Sequence, residues 1–325
     1  MTLPRRRFLN LGASAAVLPA LSRMGWAQAY PTHPVRFIVG SAGGSSPDIF
    51  ARLLGQWLSE RLGRPFVIDN RSGAGGNIAF EAAVRAPPDG YTLLLAPTSA
   101  AINASLYGKL NYDFIRDIAP VAAIARGPQV MLVNPSVPAK TIPEFIAYAK
   151  ANPGKLSMAS AGIGTPGHLA GELFKLMAGI DMVHVPYRSG APAQTDLIGG
   201  QVQLMFLSPV GLIEYVQADM LRALAVTTVT RSHELPDLPT VGDFLPGYEA
   251  SAWWGIGTPK NTPAEIVDRL NTEINSGLAD PTLNARLGDL GATPLALSPM
   301  EFGKLIADET EKWGKVIRAA SIKLE

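Results

Sequence analysis

Three times in this chain a short apolar run ends in an uncharged loop of small residues that closes on Ser-Pro or Thr-Pro. Val35–Val39 leads into Gly-Ser-Ala-Gly-Gly-Ser-Ser-Pro, Leu156–Ser160 into Ala-Gly-Ile-Gly-Thr-Pro-Gly, and Val202–Leu207 directly into Ser208-Pro209. A brief run that is apolar throughout reads as a strand covered on both faces. Ser or Thr before Pro marks the start of a helix, where the fixed φ and missing N–H of proline are harmless. Repeated strand–loop–helix units require an α/β architecture, and the pattern predicts parallel sheets covered on both sides by helices.

The rest of the chain keeps that rhythm. Phe66–Ile68, Thr92–Leu95, Val130–Val133 and Leu221–Val226 read as strands, with Met182–Val185 a shorter one. Phe50, Leu53, Leu54, Trp57, Leu58 and Leu62 form the stripe of a helix lying on a sheet. Similar faces predict helices at about 144–151, 168–178, 263–278 and 300–319. Thr262-Pro263-Ala264-Glu265 and Ser298-Pro299-Met300-Glu301 read as capping boxes, and Thr141-Ile142-Pro143-Glu144 as a close variant.

Composition narrows the function. A chain of 325 residues, 47% hydrophobic and 17% charged, has apolar material for two domains and is not disordered. Zero cysteines exclude disulfides, a thiolate nucleophile and Cys-ligated metal. A net charge of +1 with no basic face argues against nucleic acid. Arg5-Arg6 followed by Phe8-Leu9, a mildly apolar run from Leu11 to Leu21 and Ala27-Gln28-Ala29 form an export signal of twin-arginine or Sec type, cut near Ala29. The apolar run is too short to span a bilayer. Residues 1–29 carry Arg5, Arg6, Arg7 and Arg23 and no acid, so the mature chain is net acidic, exported and soluble, in the periplasm.

In a parallel sheet the three loops would lie at the carboxyl ends of strands, where open α/β folds bind ligands. Free N–H groups at helix starts, partial positive charge, close-approaching glycines and hydroxyl donors suit a carboxylate held without a salt bridge. Any α/β protein also needs capped βα loops, so one such loop alone would carry no site.

Catalytic patterns are sparse. Gly162-Ile163-Gly164-Thr165-Pro166-Gly167 fits the dinucleotide glycine spacing, but the next strand ends at Pro186-Tyr187-Arg188 without an acid for the ribose. There is no Walker A, no HExxH and, in the mature chain, no GxSxG; His33, His168, His184 and His233 lack metal-ligand spacing. His168 either faces a ligand or sits on a helix surface, and His184 reads as a core residue. Asp48 reads as a partner of its helix dipole, and Trp253-Trp254 as core or as a stacking wall.

Further motifs recur in order. They are Tyr30-Pro31 with Pro34-Val35-Arg36; Gly43-Gly44-Ser45 with Asp48 and Ala51-Arg52; and Asn70-Arg71 with Gly73-Ala74-Gly75-Gly76-Asn77. Pro88-Asp89-Gly90-Tyr91-Thr92, Gly164-Thr165-Pro166 with His168-Leu169, and Val185-Pro186-Tyr187-Arg188 follow. Leu238-Pro239-Thr240-Val241 and Thr262-Pro263 leading to Arg269-Leu270-Asn271 complete the series. In these segments, from about Tyr30 to the C-terminus, the chain resembles the solute-binding proteins of tripartite tricarboxylate transporters, the Bug or TctC-type family.

The resemblance implies a type II periplasmic-binding-protein fold: two α/β domains, a hinge and a ligand cleft between them. It places domain 1 at 30–127 plus 229–325 and domain 2 at 128–228, with crossings near Gly127-Pro128 and Thr227–Thr230. It also implies a carboxylate gripped by backbone amides of two loops, often with ordered waters. Carried onto this sequence, the site takes Ser41, Ala42, Gly44 and Ser45, then Thr98 and Ser99, then Ser160, Gly162, Gly164, Thr165 and His168. Ser208 is added by the loop pattern alone. Where family members often carry an aromatic residue and prolines, this chain has Gly40-Ser41-Ala42-Gly43, which removes a wall and favours a bulkier or more polar carboxylate.

The expected partners are a small organic carboxylate and the membrane components of such a transporter, with no cofactor and no metal. On a sensor kinase the sequence is silent, and monomer is the default state. The alternative is an exported α/β hydrolase or isomerase acting on a carboxylate, with Ser45 or Ser160 as nucleophile and His168 as base, although no acid is assignable to orient that base.

Overall fold

A computed structural model describes residues 30–209, 212–232 and 235–324. The export signal at 1–29 lies outside the described residues.

The chain builds β1 (Val35–Val39), α1 (Ser46–Leu62), β2 (Phe66–Asn70), α2 (Asn77–Val84), β3 (Thr92–Pro97), α3 (Ser99–Leu106), α4 (Phe114–Asp117) and β4 (Ile118–Gly127). It then passes through Pro128-Gln129 to β5 (Val130–Val133), α5 (Ile142–Ala151), β6 (Ser157–Ser160), α6 (Pro166–Ala178), β7 (Val183–Pro186), α7 (Gly190–Ile198), β8 (Leu204–Leu207), α8 (Ile213–Gln217) and β9 (Arg222–Val226). The C-terminal part adds β10 (Ala252–Pro259), α9 (Ala264–Leu278), α10 (Pro281–Asp289), β11 (Thr293–Pro294) and α11 (Pro299–Ala319).

These strands form two sheets, ordered β11-β4-β10-β3-β1-β2 and β7-β6-β8-β5-β9. In the first, β1 lies between β2 and β3 and runs parallel to both; in the second, β6 lies between β7 and β8 in the same way. Each sheet therefore has a topological switch point, at the carboxyl ends of β1/β3 and of β6/β8, where the chain leaves in opposite directions and opens a crevice.

The expectation of parallel sheets is corrected outside those blocks. β10 runs antiparallel to β3 and β4, β11 antiparallel to β4, and β5 antiparallel to β8 and β9. β4 and β5 are nearly continuous across the two sheets, so each enters its sheet as a crossing strand and not through a helical return. The crossings are tied together: the Gln129 amide donates to Thr227 Oγ1 at 2.8 Å, the Thr227 amide to the Gln129 carbonyl at 2.9 Å, and the Ala250 amide to the Thr227 carbonyl at 3.0 Å.

One core lies under α1 and α9 (Phe37, Phe50, Leu54, Leu58, Leu270, Ile274) and one on the α7 side of the second sheet (Val130, Ala193, Leu197, Met205). A third runs without a break from Ile38 and Phe80 to Met131, Phe174 and Phe206. α11 packs on α3, β4 and α6, so the C-terminal helix bridges both halves.

The predicted capping box of α11 is present, and Thr141 caps α5. Thr262 does not cap α9: its hydroxyl donates to the Pro259 carbonyl at 2.8 Å and lies 3.1 Å from the Thr258 hydroxyl, and the helix begins after Pro263. The strong requirement of a buried hydroxyl for a partner outweighs the local cap.

Candidate functional site

A cavity of about 570 Å³ lies between the two switch points, within the range of small-molecule sites. One wall comes from the loop after β1 (Gly40, Ser41, Ser45), the start of α2 (Gly75, Gly76) and the residues after β3 (Thr98, Ser99). The opposite wall comes from the loop after β6 (Ala161, Thr165, Gly167), the start of α7 (Gly190) and the end of β8 (Leu207, Ser208). Phe80, Leu95, Phe206 and Trp254 give an apolar lining, Gln129 enters from the crossing, and no charged side chain lines the cavity among the described residues. The loops at 41–45 and 160–168 thus face one shared hollow.

Helix starts supply the polarity. α1, α2, α3, α6 and α7 all present their N-termini to the cavity, and in none of them does the N-cap side chain bond the helix. Away from the cavity, Asp113, Thr141, Asp280 and Ser298 each cap their helices through the side chain, whereas α8 and α9 start without one. Hydroxyls at the cavity are turned elsewhere: Ser45 Oγ donates to the Ala42 carbonyl at 2.7 Å, with Ser41 Oγ 2.8 Å away, and Thr165 Oγ1 donates to the Gly162 carbonyl at 2.8 Å. The amides of Ser46, Ser99 and Gly167 carry no hydrogen bond to protein among the described residues. Several free donors with aligned helix dipoles make an anion site that needs no cation.

The first loop is held by Asp48, which is buried. Its carboxylate accepts from the Gly44 amide at 2.8 Å, Arg52 Nε at 2.9 Å and Asn70 Nδ2 at 2.9 Å, and Asn70 also donates to the Ser41 carbonyl at 3.0 Å. Burial pushes the Asp48 carboxyl up, but the bonds from Arg52, Gly44 and Asn70 together hold it below the usual carboxylate range. Asp48 is therefore a clamp on the loop, which corrects its reading as a dipole partner alone.

Of the sequence-derived site residues, Ser41, Ser45, Thr98, Ser99, Thr165 and Ser208 line the cavity. Thr98 offers no free hydroxyl, since its Oγ1 accepts from the Trp253 amide at 2.7 Å and faces the Trp253 carbonyl at 3.2 Å. Ala42, Gly44, Ser160, Gly162, Gly164 and His168 do not line the cavity: Ala42 and Gly44 are exposed, whereas Ser160 and His168 are buried. Gly164 takes a positive φ of 76° and packs against Leu106 of α3, bringing the two halves into contact beside the cavity.

His168 is buried, accepts from the Gly164 amide at Nδ1 (3.1 Å) and stacks on His184 at 3.8 Å between centroids. His184 Nε2 in turn lies 2.7 Å from Ser160 Oγ. Burial, with the neighbouring His184 and Lys175, lowers the pKa of His168 to about 3, and burial followed by Lys175 lowers that of His184 to about 4. Both rings are neutral braces under the loop. Ser160 thus pairs with His184 and not with His168, against the nucleophile–base arrangement considered from sequence. Ser208 lies at the cavity, but the next helix begins only at Ile213, so this loop brings no helix start.

Sequence reasoning missed Gln129 and Phe80 as lining residues. A lone Gln between two strands and a Phe on a helix carry no local signal, and only the tertiary arrangement aims them inward.

Residues 50–322 match the family model described as tripartite tricarboxylate transporter family receptor. A curated relative from Pseudomonas sp. (strain P51), the UPF0065 protein in the tcbD-tcbE intergenic region, is 37% identical over 96% of this chain and 94% of its own. Among solved structures, R. palustris Rpa4515 with adipate aligns with a TM-score of 0.80 at 37% identity, over 90% of this chain and 99% of that one. MatC (Rpa3494) from Rhodopseudomonas palustris with bound malate aligns at 0.75 and 30% identity, over 89% and 100%.

Proposed function

Because the chain belongs to the tripartite tricarboxylate transporter receptor family, and is a solute-binding protein and not an enzyme, we propose that its cavity captures a small organic acid and delivers it to the membrane components of such a transporter. The carboxylate is held by the free amides at the starts of α1, α3 and α6 and by the Ser41 hydroxyl, with Ser208 contributing from the end of β8. The observation that carries this reading is that the amides of Ser46, Ser99 and Gly167, at three helix starts on the cavity, have no hydrogen-bond partner among the described residues. The adipate and malate carried by the similar structures support a carboxylate of modest size. Ser41, where an aromatic ring would narrow the space, favours a bulkier or more polar one.

We further propose that residues 30–127 and 229–325 form one domain and 128–228 the other, moving about the crossings joined through Gln129 and Thr227. Closure would bring the two walls onto the ligand and present a new surface to the membrane partner. The leader at 1–29 would direct the chain to the periplasm, with cleavage near Ala29.

A thermal-shift screen with mono-, di- and tricarboxylates and aromatic acids tests the capture role. A true ligand at a hundredfold excess over its Kd stabilises the protein by about 2.7 kcal/mol. A flat response to all organic acids, with a shift from neutral sugars or cations instead, would overturn it.

A further inference from the structure

We propose that Gln129 accepts a hydrogen bond from the body of the bound acid, so that the preferred ligand is a hydroxylated or N–H-bearing carboxylate and not an unsubstituted one; this rests on the carboxylate reading above. Gln129 is 7% exposed, yet its side chain lines the cavity. It is the one amide side chain lining the cavity among the described residues, the other polar groups there being hydroxyls and the indole of Trp254. Its Nε2 makes a single long bond, 3.3 Å, to the Pro128 carbonyl. Its Oε1 accepts nothing from the protein among the described residues, and lies against Gly167, 3.7 Å from where a side-chain carbon on that residue would sit.

The Pro128 carbonyl fixes which way the amide points, because reversing it would set two acceptors against each other. An acceptor is therefore left facing the cavity at the start of α6. This oxygen is not among the sealed unpartnered atoms and is open to the cavity, so a ligand that displaces solvent from it without supplying a donor leaves an acceptor unpaired, whereas a hydroxyl or N–H on the ligand satisfies it. The Gln129 backbone is bonded to Thr227 through both its N–H and its C=O. A ligand held by this side chain is thus joined to the point where the chain passes between the sheets.

Isothermal titration with matched acids tests the assignment. The probes are benzoate against 3- and 4-hydroxybenzoate, and hexanoate against its 2-, 3- and 6-hydroxy derivatives, measured on wild type, Gln129→Leu and Gln129→Met. A site built to bond a hydroxyl rejects the analogue lacking it. At least one hydroxy acid should bind wild type about tenfold or more tightly than its parent, and that preference should vanish in both variants. Melting temperatures identify a variant that has lost its fold. Two outcomes overturn the assignment while leaving the capture role standing: parents that bind wild type with no hydroxyl preference, or a preference that survives in a folded variant. If none of the acids binds wild type while other carboxylates do, the hydroxy-acid class is wrong; if no carboxylate binds, the capture role falls with it.

Discussion

Ser45 and Thr165 occupy the positions where a side chain would cap a helix, and both turn their hydroxyls to loop carbonyls instead. Gly167, two residues beyond Thr165, is held to glycine by space: a side-chain carbon would sit 2.2 Å from the carbonyl oxygen of Phe206. Gly167→Ala must therefore push the start of α6 away from β8. Overpacking of this kind costs about 1–3 kcal/mol, seen as a lower melting temperature, and displaced amides should weaken carboxylate binding at least about tenfold by titration. Wild-type affinity in a folded Gly167→Ala protein would remove the α6 start from the site. The small residues of this loop were legible in the sequence because glycine and Ser/Thr-Pro signal backbone geometry locally. The roles of Asp48 and Ser160 were not, since their partners Asn70 and His184 lie 22 and 24 positions away along the chain.

At the level of elements, the readable strands were those built as uninterrupted apolar runs, and β1 and β5 match the predicted bounds. β4 and β10 escaped notice because they contain Pro120, Gly255 and Gly257, which disguise a strand. In β10 Gly255 admits the Phe302 ring and the Ala122 carbonyl and Gly257 admits Ile118, so the feature that hides the strand is also what lets it pack centrally. The stacked histidines beneath α6 give this element a pH signature. Their folded pKa values, about 3 and about 4, lie below the unfolded value near 6.5. The unfolded chain then binds more protons than the folded one below that pH. The stabilising contribution is complete above about pH 6.5 and is lost as pH falls toward 4 and 3, with a slope of up to about 1.4 kcal/mol per pH unit for each ring. Urea melts at pH 7, 6, 5 and 4.5 should show that decline in wild type and a shallower one in His184→Gln; equal slopes would place the titration elsewhere.

Across the whole molecule, two sheets turn their switch points toward each other, and two hydrogen-bonded crossings hold them in that relation. The alternation of strands and helices made an α/β architecture readable from sequence, and the three loops made an anion site arguable. Their convergence on one hollow was not readable, because it depends on how the sheets face, which no local pattern encodes. In the proposed binding mode the anion needs no charged side chain, and none lines the cavity among the described residues: helix starts on both walls would supply the positive potential. A crystal structure of the complex with the tightest acid from the thermal screen measures this directly. Both carboxylate oxygens should lie about 2.7–3.1 Å from main-chain nitrogens at the starts of α1 and α6. A carboxylate paired instead with an arginine or lysine, or seated outside this hollow, would contradict the account.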